Sequence, residues 1–354
     1  MRIGVPTEIK TLEGRVGLVP AACANLVSAG HEVFVQQDAG NLSGYRNEEY
    51  ETAGVKLLPD AEAIYQKAEM IIKVKEPIGP ELDLLQSHHL LFSYLHLAAE
   101  PALTKRLLEI GLTGVAFETV EEHGLLPLLA PMSDIAGRLS VQIGSNLLHR
   151  PNGGKGLLLG GLPAAERGHV VIIGGGVVGT NAARVAAGLG ARVTVFDHYR
   201  GKLEHLRDIG PNVSALYPYP AELAAAVNSA DLVVGAVLRV GEKAPYVVTR
   251  DMVKSMQDGG VIVDVSVDQG GCIETTRPTS YADPTYIEHG IVHFAVTNMP
   301  GAVPRSASQA LSASILPFAM ILASGKWRDD ERLTKGINVE KGEIIHPALK
   351  TVGE

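Results

Sequence analysis

Residues 170–197 read VVIIGGGVVGTNAARVAAGLGARVTVFD, and the fold follows from this stretch. An apolar run, VVII, meets a glycine turn; a helical pattern follows, and a second apolar run, RVTVF, ends in Asp197. Gly174, Gly176 and Gly179 form G-x-G-x-x-G directly after the first run. Each glycine there has its own reason to lack a side chain. The first permits a tight turn, the second lets the backbone approach a pyrophosphate, and the third lets the helix pack on the strand. The N–H groups at the helix start, around Val177 and Val178, offer hydrogen bonds and a positive dipole end to phosphate. An acid closing the next strand, as Asp197 does, accepts hydrogen bonds from the hydroxyls of a ribose. The spacing therefore predicts a βαβ unit that binds a dinucleotide. The Asp197 carboxylate repels a 2′-phosphate, which favours NAD over NADP, whereas Arg200 and His198 just after it offer that phosphate a cationic partner.

At 354 residues the chain has room for two domains, each with its own core. With 31 basic and 39 acidic residues and a net charge of −8, it carries no basic stripe for nucleic acid. The N-terminal MRIGVPTEIK lacks the apolar core of a signal peptide, and the sequence suggests no apolar run of about 18 residues to span a bilayer. The expectation is a soluble cytoplasmic protein with neither membrane nor nucleic-acid partner. Cys23 and Cys272 are the only cysteines, too few for a disulfide framework and wrongly spaced for a metal site. Cys23 reads as a small buried residue.

The N-terminal segment alternates RIGV, a helical stretch from Pro20 to Gly30, HEVFVQ, MIIKVK, HHLLFSYL and LTGVAF, with the helical PALTKRLLEI among them. This is a second α/β unit without a glycine fingerprint. Prolines in LPLLAP, residues 126–131, mark a boundary before MSDIAGRLSVQIGSNLLHR, a helix, and the glycine-rich residues 153–163 lead to the fingerprint strand. Beyond it, ADLVVGAV, GGVIVDVSV and IVHFAV are apolar runs of the kind found in parallel sheets buried on both faces. After Pro304 the pattern turns helical, with a kink expected at Pro317. The predicted fold is α/β, with two Rossmann-like doubly wound domains. Residues 128–304 form the NAD-binding domain, and residues 1–127 with 305–354 form a discontinuous substrate domain completed by C-terminal helices.

In open α/β sheets ligands collect beyond the carboxyl ends of the strands. That rule selects Lys75 at the end of MIIKVK, His96 after LLFSYL, Asp268 after VIVDVSV, and Arg15 in the loop after the first strand, all four facing one crevice. An arginine fork such as Arg15 can grip a carboxylate, and Lys75 can donate to the same carboxylate or to a carbonyl oxygen. His96 suits proton exchange near neutral pH, and Asp268, beside Gly270-Gly271, can relay a proton or orient an amine. Structural readings stand beside these. Arg15 and Lys75 also fit solvated loop charges, His96 fits a hydrogen-bonded core histidine, and Asp268 fits a helix cap or turn residue.

Eight separated motifs, in order IGVPTEIKTLEGRVGLVP, IIKVKEP, LLFSYLHLA, PMSDIAGR, GGGVVGTNAARVA, DLVVGAVL, VDVSVDQGGC and NMPGAVP, resemble NAD-dependent alanine dehydrogenases over essentially the whole chain. The resemblance implies reversible oxidative deamination of L-alanine to pyruvate and ammonium, with hydride passing from Cα to nicotinamide and no metal required. It implies that Arg15 and Lys75 bind the substrate acid and that His96 and Asp268 move protons. For the cofactor it implies Ser133, Gly174, Gly176, Val177, Val178, Gly179, Asp197, Lys202, Val237, Leu238, Val265, Ser266, Val267, Asp268, Arg277, Val296, Thr297, Asn298 and Met299. It also implies a homohexamer. Arg239, Glu242 and Pro218 depart from the family pattern in loops near the cofactor. Three rivals share parts of the pattern: the NAD-binding subunit of proton-translocating transhydrogenase, a non-catalytic NAD-sensing module, and a saccharopine-type relative. Asp268 before Gln-Gly-Gly favours the dehydrogenase over the transhydrogenase, which tends to carry Glu there.

Overall fold

A computed structural model describes residues 1–237 and 245–350; Leu238, Arg239 and Glu242 lie outside the described residues. The chain divides into two compact units, residues 1–132 with the C-terminal segment from Gly301, and residues 133–300. Both are parallel-dominated α/β sheets, the expected doubly wound class.

The first unit's sheet is built from β1 (Arg2–Val5), β2 (Glu32–Gln36), β3 (Lys56–Leu58), β4 (Met70–Ile72), β5 (Leu90–Ser93) and β6 (Thr113–Ala116). Their spatial order is 3-2-1-4-5-6, all parallel. Chain connections leave β1 toward β2 on one side, while β4 lies on the other, so the switch point where ligands settle is between β1 and β4. The strand cores are buried on both faces, which explains their unbroken apolar runs. A base stays buried here as well: His89 accepts from the Gln86 N–H at Nδ1 and meets the Tyr65 carbonyl at Nε2. Burial pushes its pKa down to about 4, against the weaker pull of that carbonyl.

The helical reading of the C-terminal segment was incomplete. The helix Pro304–Ala323 is present, with Pro317 inside it, but two further strands follow in chain order. In the second unit's numbering they come after β7 (His169–Ile173), β8 (Arg192–Phe196), β9 (Val213–Leu216), β10 (Leu232–Gly235), β11 (Val261–Asp264), β12 (Thr285–Glu288) and β13 (Ile291–Phe294). They are β14 (Ile337–Glu340), which pairs antiparallel with β6, and the edge strand β15 (Glu343–Ile344). Strands of four and two residues carry too little periodicity to announce themselves; β14 is a strand by pairing with β6 over 200 residues away, and β15 by pairing with β14. The helix also corrects the expectation of no long apolar run. With a mean hydropathy of 1.4 it is apolar and long enough to cross a membrane by composition alone, yet half of it is buried inside the protein. Ser308 and Ser312 on it accept hydrogen bonds from the Val16 and Val19 N–H groups, each at 3.0 Å, and Leu311, Ile315 and Leu322 pack fully buried. It is a core helix of the first unit.

The second unit orders its strands β12-β13-β11-β10-β7-β8-β9. All neighbours are parallel except the β12–β13 hairpin. The glycine-bearing strand β7 lies between β8 and β10, so this unit's switch point lies between β7 and β10. The helix Ala130–Leu147 is where MSDIAGRLSVQIGSNLLHR predicts one. Asp134 on it accepts from the Asn181 amide at 2.7 Å, tying it to the fingerprint helix.

Candidate active site

In the second unit the glycines differ in what a side chain would meet. Gly174 has φ +103°, the left-handed half of backbone space, and an added Cβ would press on the Ala236 carbonyl just beyond β10. A Cβ at Gly179 would collide with the Gly174 carbonyl oxygen, whereas one at Gly176 would meet open space. The fingerprint therefore separates into a turn, a packing contact and a vacant approach. Gly176 is also the N-cap of the helix Val177–Gly188 and gives it no side-chain cap, leaving the first-turn N–H groups to a ligand.

Asp197 is only 8% exposed. Its Oδ2 accepts from the Gly175 N–H at 2.8 Å and lies 3.4 Å from Lys202 Nζ, while Oδ1 accepts from the Tyr199 N–H at 2.9 Å. It thus braces the glycine turn as well as closing β8, and an ionised carboxylate, with about four acceptor sites, keeps room for a ribose hydroxyl. Arg200 points away: its side chain is 92% exposed and pairs with Glu204 at 3.0 Å. The His198 ring lies edge-on to Tyr217.

Other residues assigned to the cofactor gather beyond the carboxyl ends of the same strands. Val237 follows β10 and packs partly buried on the core. Val265, Ser266, Val267 and Asp268 form a 3-10 turn after β11, with Ser266 and Val267 buried and Asp268 exposed. Val296, Thr297, Asn298 and Met299 follow β13, Asn298 in the left-handed region at φ +61°. Two lie elsewhere: Ser133 is half-buried on the helix Ala130–Leu147, and the Arg277 guanidinium sits 3.7 Å from the Tyr286 ring centroid. Open helix N–H groups, the vacancy at Gly176 and the acid after β8 together suit a dinucleotide.

Asp264 escaped the sequence reading. It is buried at the end of β11 and accepts from the Ser266 N–H (3.0 Å), the Cys272 N–H (3.1 Å) and the Thr276 hydroxyl (2.7 Å). It, and not Asp268, is the turn-capping acid, and burial raises its pKa against those hydrogen bonds. Cys272, beside it, and Cys23 are buried free thiols.

The first unit's strand ends carry charge. Arg15 is 2% exposed and forked onto Glu13, with Nε to Oε1 at 2.6 Å and Nη2 to Oε2 at 2.5 Å, while Nη1 reaches the Met132 sulfur at 3.0 Å. Burial opposes this charge, but the Glu13 bonds outweigh it and hold the guanidinium ionised. The strand β4 stops at Ile72, so Lys73, not Lys75, directly follows it and turns inward. Lys73 is 1% exposed and lies 2.9 Å from Glu81 and 3.4 Å from Glu8. Glu8 in turn accepts the Val74 N–H at 2.5 Å and the Lys75 N–H at 3.3 Å. Lys75 is half-buried; burial first, and the Arg15 charge second, lower its pKa, against the pull of Glu76. Glu76 itself pairs with Lys10.

His96 follows β5. Its side chain is 41% exposed, which removes the core-histidine reading, and its backbone is left-handed at φ +51°. The ring stacks parallel to Tyr94 at 5.8 Å, and the Tyr94 hydroxyl donates to the Leu128 carbonyl at 2.5 Å. Glu8, Glu13, Lys73, Glu81 and Glu118 were not singled out from sequence; the dense charges of TEIK and KVKEP were the only local signal.

Two doubly wound units, one with a dinucleotide turn and the other with buried charges at its switch point, define a two-domain nucleotide-dependent protein of Rossmann type. The models for the N-terminal and C-terminal domains of alanine dehydrogenase/PNT match residues 4–136 and 140–347. The chain belongs to the alanine dehydrogenase/PNT family. It is 48% identical to the alanine dehydrogenase of Methanococcus maripaludis over 99% of its own length and 95% of the relative's. It is also 48% identical to that of Bacillus subtilis, over 99% and 94%. A solved L-alanine dehydrogenase superposes with a TM-score of 0.97 at 50% identity, covering 100% of this chain and 99% of the other. A transhydrogenase from Sinorhizobium meliloti shares the fold at a TM-score of 0.86 and 24% identity, over 98% and 100%.

Proposed function

We propose that the chain catalyses the reversible NAD-dependent oxidative deamination of L-alanine to pyruvate and ammonium. The observation that carries this reading is near-half identity to alanine dehydrogenases along the full chain. Arg15 and Lys75 bind the substrate carboxylate. The Glu13 fork holds the Nε–Nη2 edge of Arg15 and fixes the plane of the guanidinium. Burial first and the Arg15 charge second lower the Lys75 pKa, and a carboxylate settling between the two cations offsets their repulsion.

NAD, when bound, would supply the acceptor for the hydride from Cα. His96 and Asp268 move protons as water adds to the resulting imine and ammonia departs, so that alanine, NAD and water give pyruvate, ammonium, NADH and a proton. Asp197, Lys202 and the Val177–Val178 helix start hold the adenosine and pyrophosphate. The same reading makes residues 1–127 with 305–354 the substrate domain and residues 128–304 the NAD domain. It makes the enzyme a cytoplasmic homohexamer of L-alanine catabolism with no membrane partner.

The test is NADH oxidation with a panel of 2-oxo acids, with and without ammonium. Oxidation with pyruvate only when ammonium is present is the expected result; oxidation without ammonium would mark a hydroxy-acid enzyme. His96→Ala should retain NADH binding and lose about 100-fold or more in turnover.

A further inference from the structure

We propose that Glu118 is the positioning residue of His96, holding its strained backbone and turning Nδ1 inward so that Nε2 exchanges the proton; this rests on His96 being the proton carrier. Glu118 lies in the 3-10 turn Phe117–Thr119, directly after β6. Because β5 and β6 are parallel neighbours with Ser93 opposite Ala116, the residues leaving the two strands emerge side by side. The turn is anchored from below: the Phe117 ring packs edge-on against Phe92 at 4.5 Å and Tyr94 at 5.0 Å.

The Glu118 carboxylate takes two consecutive backbone N–H groups. Oε1 accepts from His96 at 2.6 Å and from Leu95 at 3.1 Å, and Oε2 accepts from Leu95 at 3.3 Å. Two successive N–H groups converge on this one carboxylate, and His96, which carries the second, is left-handed at φ +51°. A side chain rarely takes that conformation, and such strain persists only where the surroundings over-determine it. Here the charge-assisted bonds to Glu118 do so. The backbone so fixed sends the imidazole parallel to Tyr94, with 4° between the ring planes and Nδ1 at 4.0 Å from Glu118 Oε1. That separation is beyond a hydrogen bond but orients the ring's N–H dipole, favouring the proton on Nδ1 and leaving Nε2 as acceptor.

The experiment compares Glu118→Ala and Glu118→Gln with His96→Ala and wild type, for kcat, pyruvate KM, NADH Kd and melting temperature, together with the His96 tautomer by 15N NMR of wild type. Glu118→Ala should lower kcat about 100-fold, with pyruvate KM within about threefold and NADH Kd unchanged. Glu118→Gln, which keeps an amide oxygen for the N–H groups, should recover to within about tenfold of wild type. The neutral His96 of wild type should carry its proton on Nδ1. A folded Glu118→Ala with near-wild-type kcat, beside an inactive His96→Ala, overturns the proposal. So does an Nε2-protonated His96, a result that stands even if the alanine variant does not fold. An active His96→Ala instead overturns the reading of His96 on which the proposal rests.

Discussion

The turns after β1 and after β7 occupy equivalent places in two sheets of the same winding order, yet they are built from opposite materials. After β7 the binding surface is backbone: glycines and helix N–H groups, with one acid bracing the turn. After β1 it is side chains: Arg15 and Glu13, packed near Glu8 and Lys73 and almost entirely buried. Backbone dipoles bring no net charge to desolvate, and the turn's one acid, Asp197, is held by two backbone N–H groups with Lys202 3.4 Å away. A buried charge needs a partner charge or a full set of hydrogen bonds, and in the Arg15–Glu13 fork it has a partner charge. A turn of the first kind suits a large phosphate-bearing ligand; one of the second kind suits a small carboxylate.

If that contrast is right, the largest single loss belongs to the charged turn. Glu13→Ala takes the forked carboxylate from the buried Arg15 guanidinium and should cost about 3–5 kcal/mol of unfolding free energy in urea titrations. A loss under about 1 kcal/mol would erase the distinction. In the glycine turn the cost should be steric. Gly179→Ala drives a methyl into the Gly174 carbonyl and should cost roughly 1–3 kcal/mol by the same titration.

The first unit also buries a base that avoids pairing by staying neutral. The folded His89 pKa is lowered, so the unfolded chain takes up the extra proton first. Its contribution is therefore intact above about pH 6.5 and is lost as pH falls toward 4. Between pH 7 and 5 the shift to about 4 removes about 2 kcal/mol, and His89→Gln should flatten that part of the stability–pH curve. An unchanged slope would mean His89 is not held neutral. The smallest stability effect is expected at Gly176→Ala, within about 0.5 kcal/mol of wild type, since the methyl enters open space. NADH binding should nevertheless weaken about tenfold, read by fluorescence titration. Unchanged binding would show that the vacancy is not the ligand's approach.

Much of the design could be read in one dimension. The strand–turn–helix after Val170 lies within 28 contiguous residues, and each glycine's duty follows from its offset. The apolar runs alone put His96 after β5 and Asp268 after β11, whereas β4 ends at Ile72 and leaves Lys73, not Lys75, next to it. What stayed hidden involves partners far apart in the chain. The pairing of β14 with β6, the seating of Ser308 and Ser312 against Val16 and Val19, and the hold of Glu118 on His96 all join residues that no local pattern connects. Asp264 and Asp268 show the same limit at short range, being alike in sequence until burial makes one a cap and leaves the other exposed.

By itself, then, the sequence determined the doubly wound class, the dinucleotide turn and the strand ends where chemistry gathers, because these rest on backbone sterics and hydrophobic period, both local properties. Only the tertiary structure decided which charges are buried, which carboxylate holds which cation, and how His96 is aimed. Desolvation and pairing depend on everything packed around a group, and that surrounding is assembled from both ends of the chain.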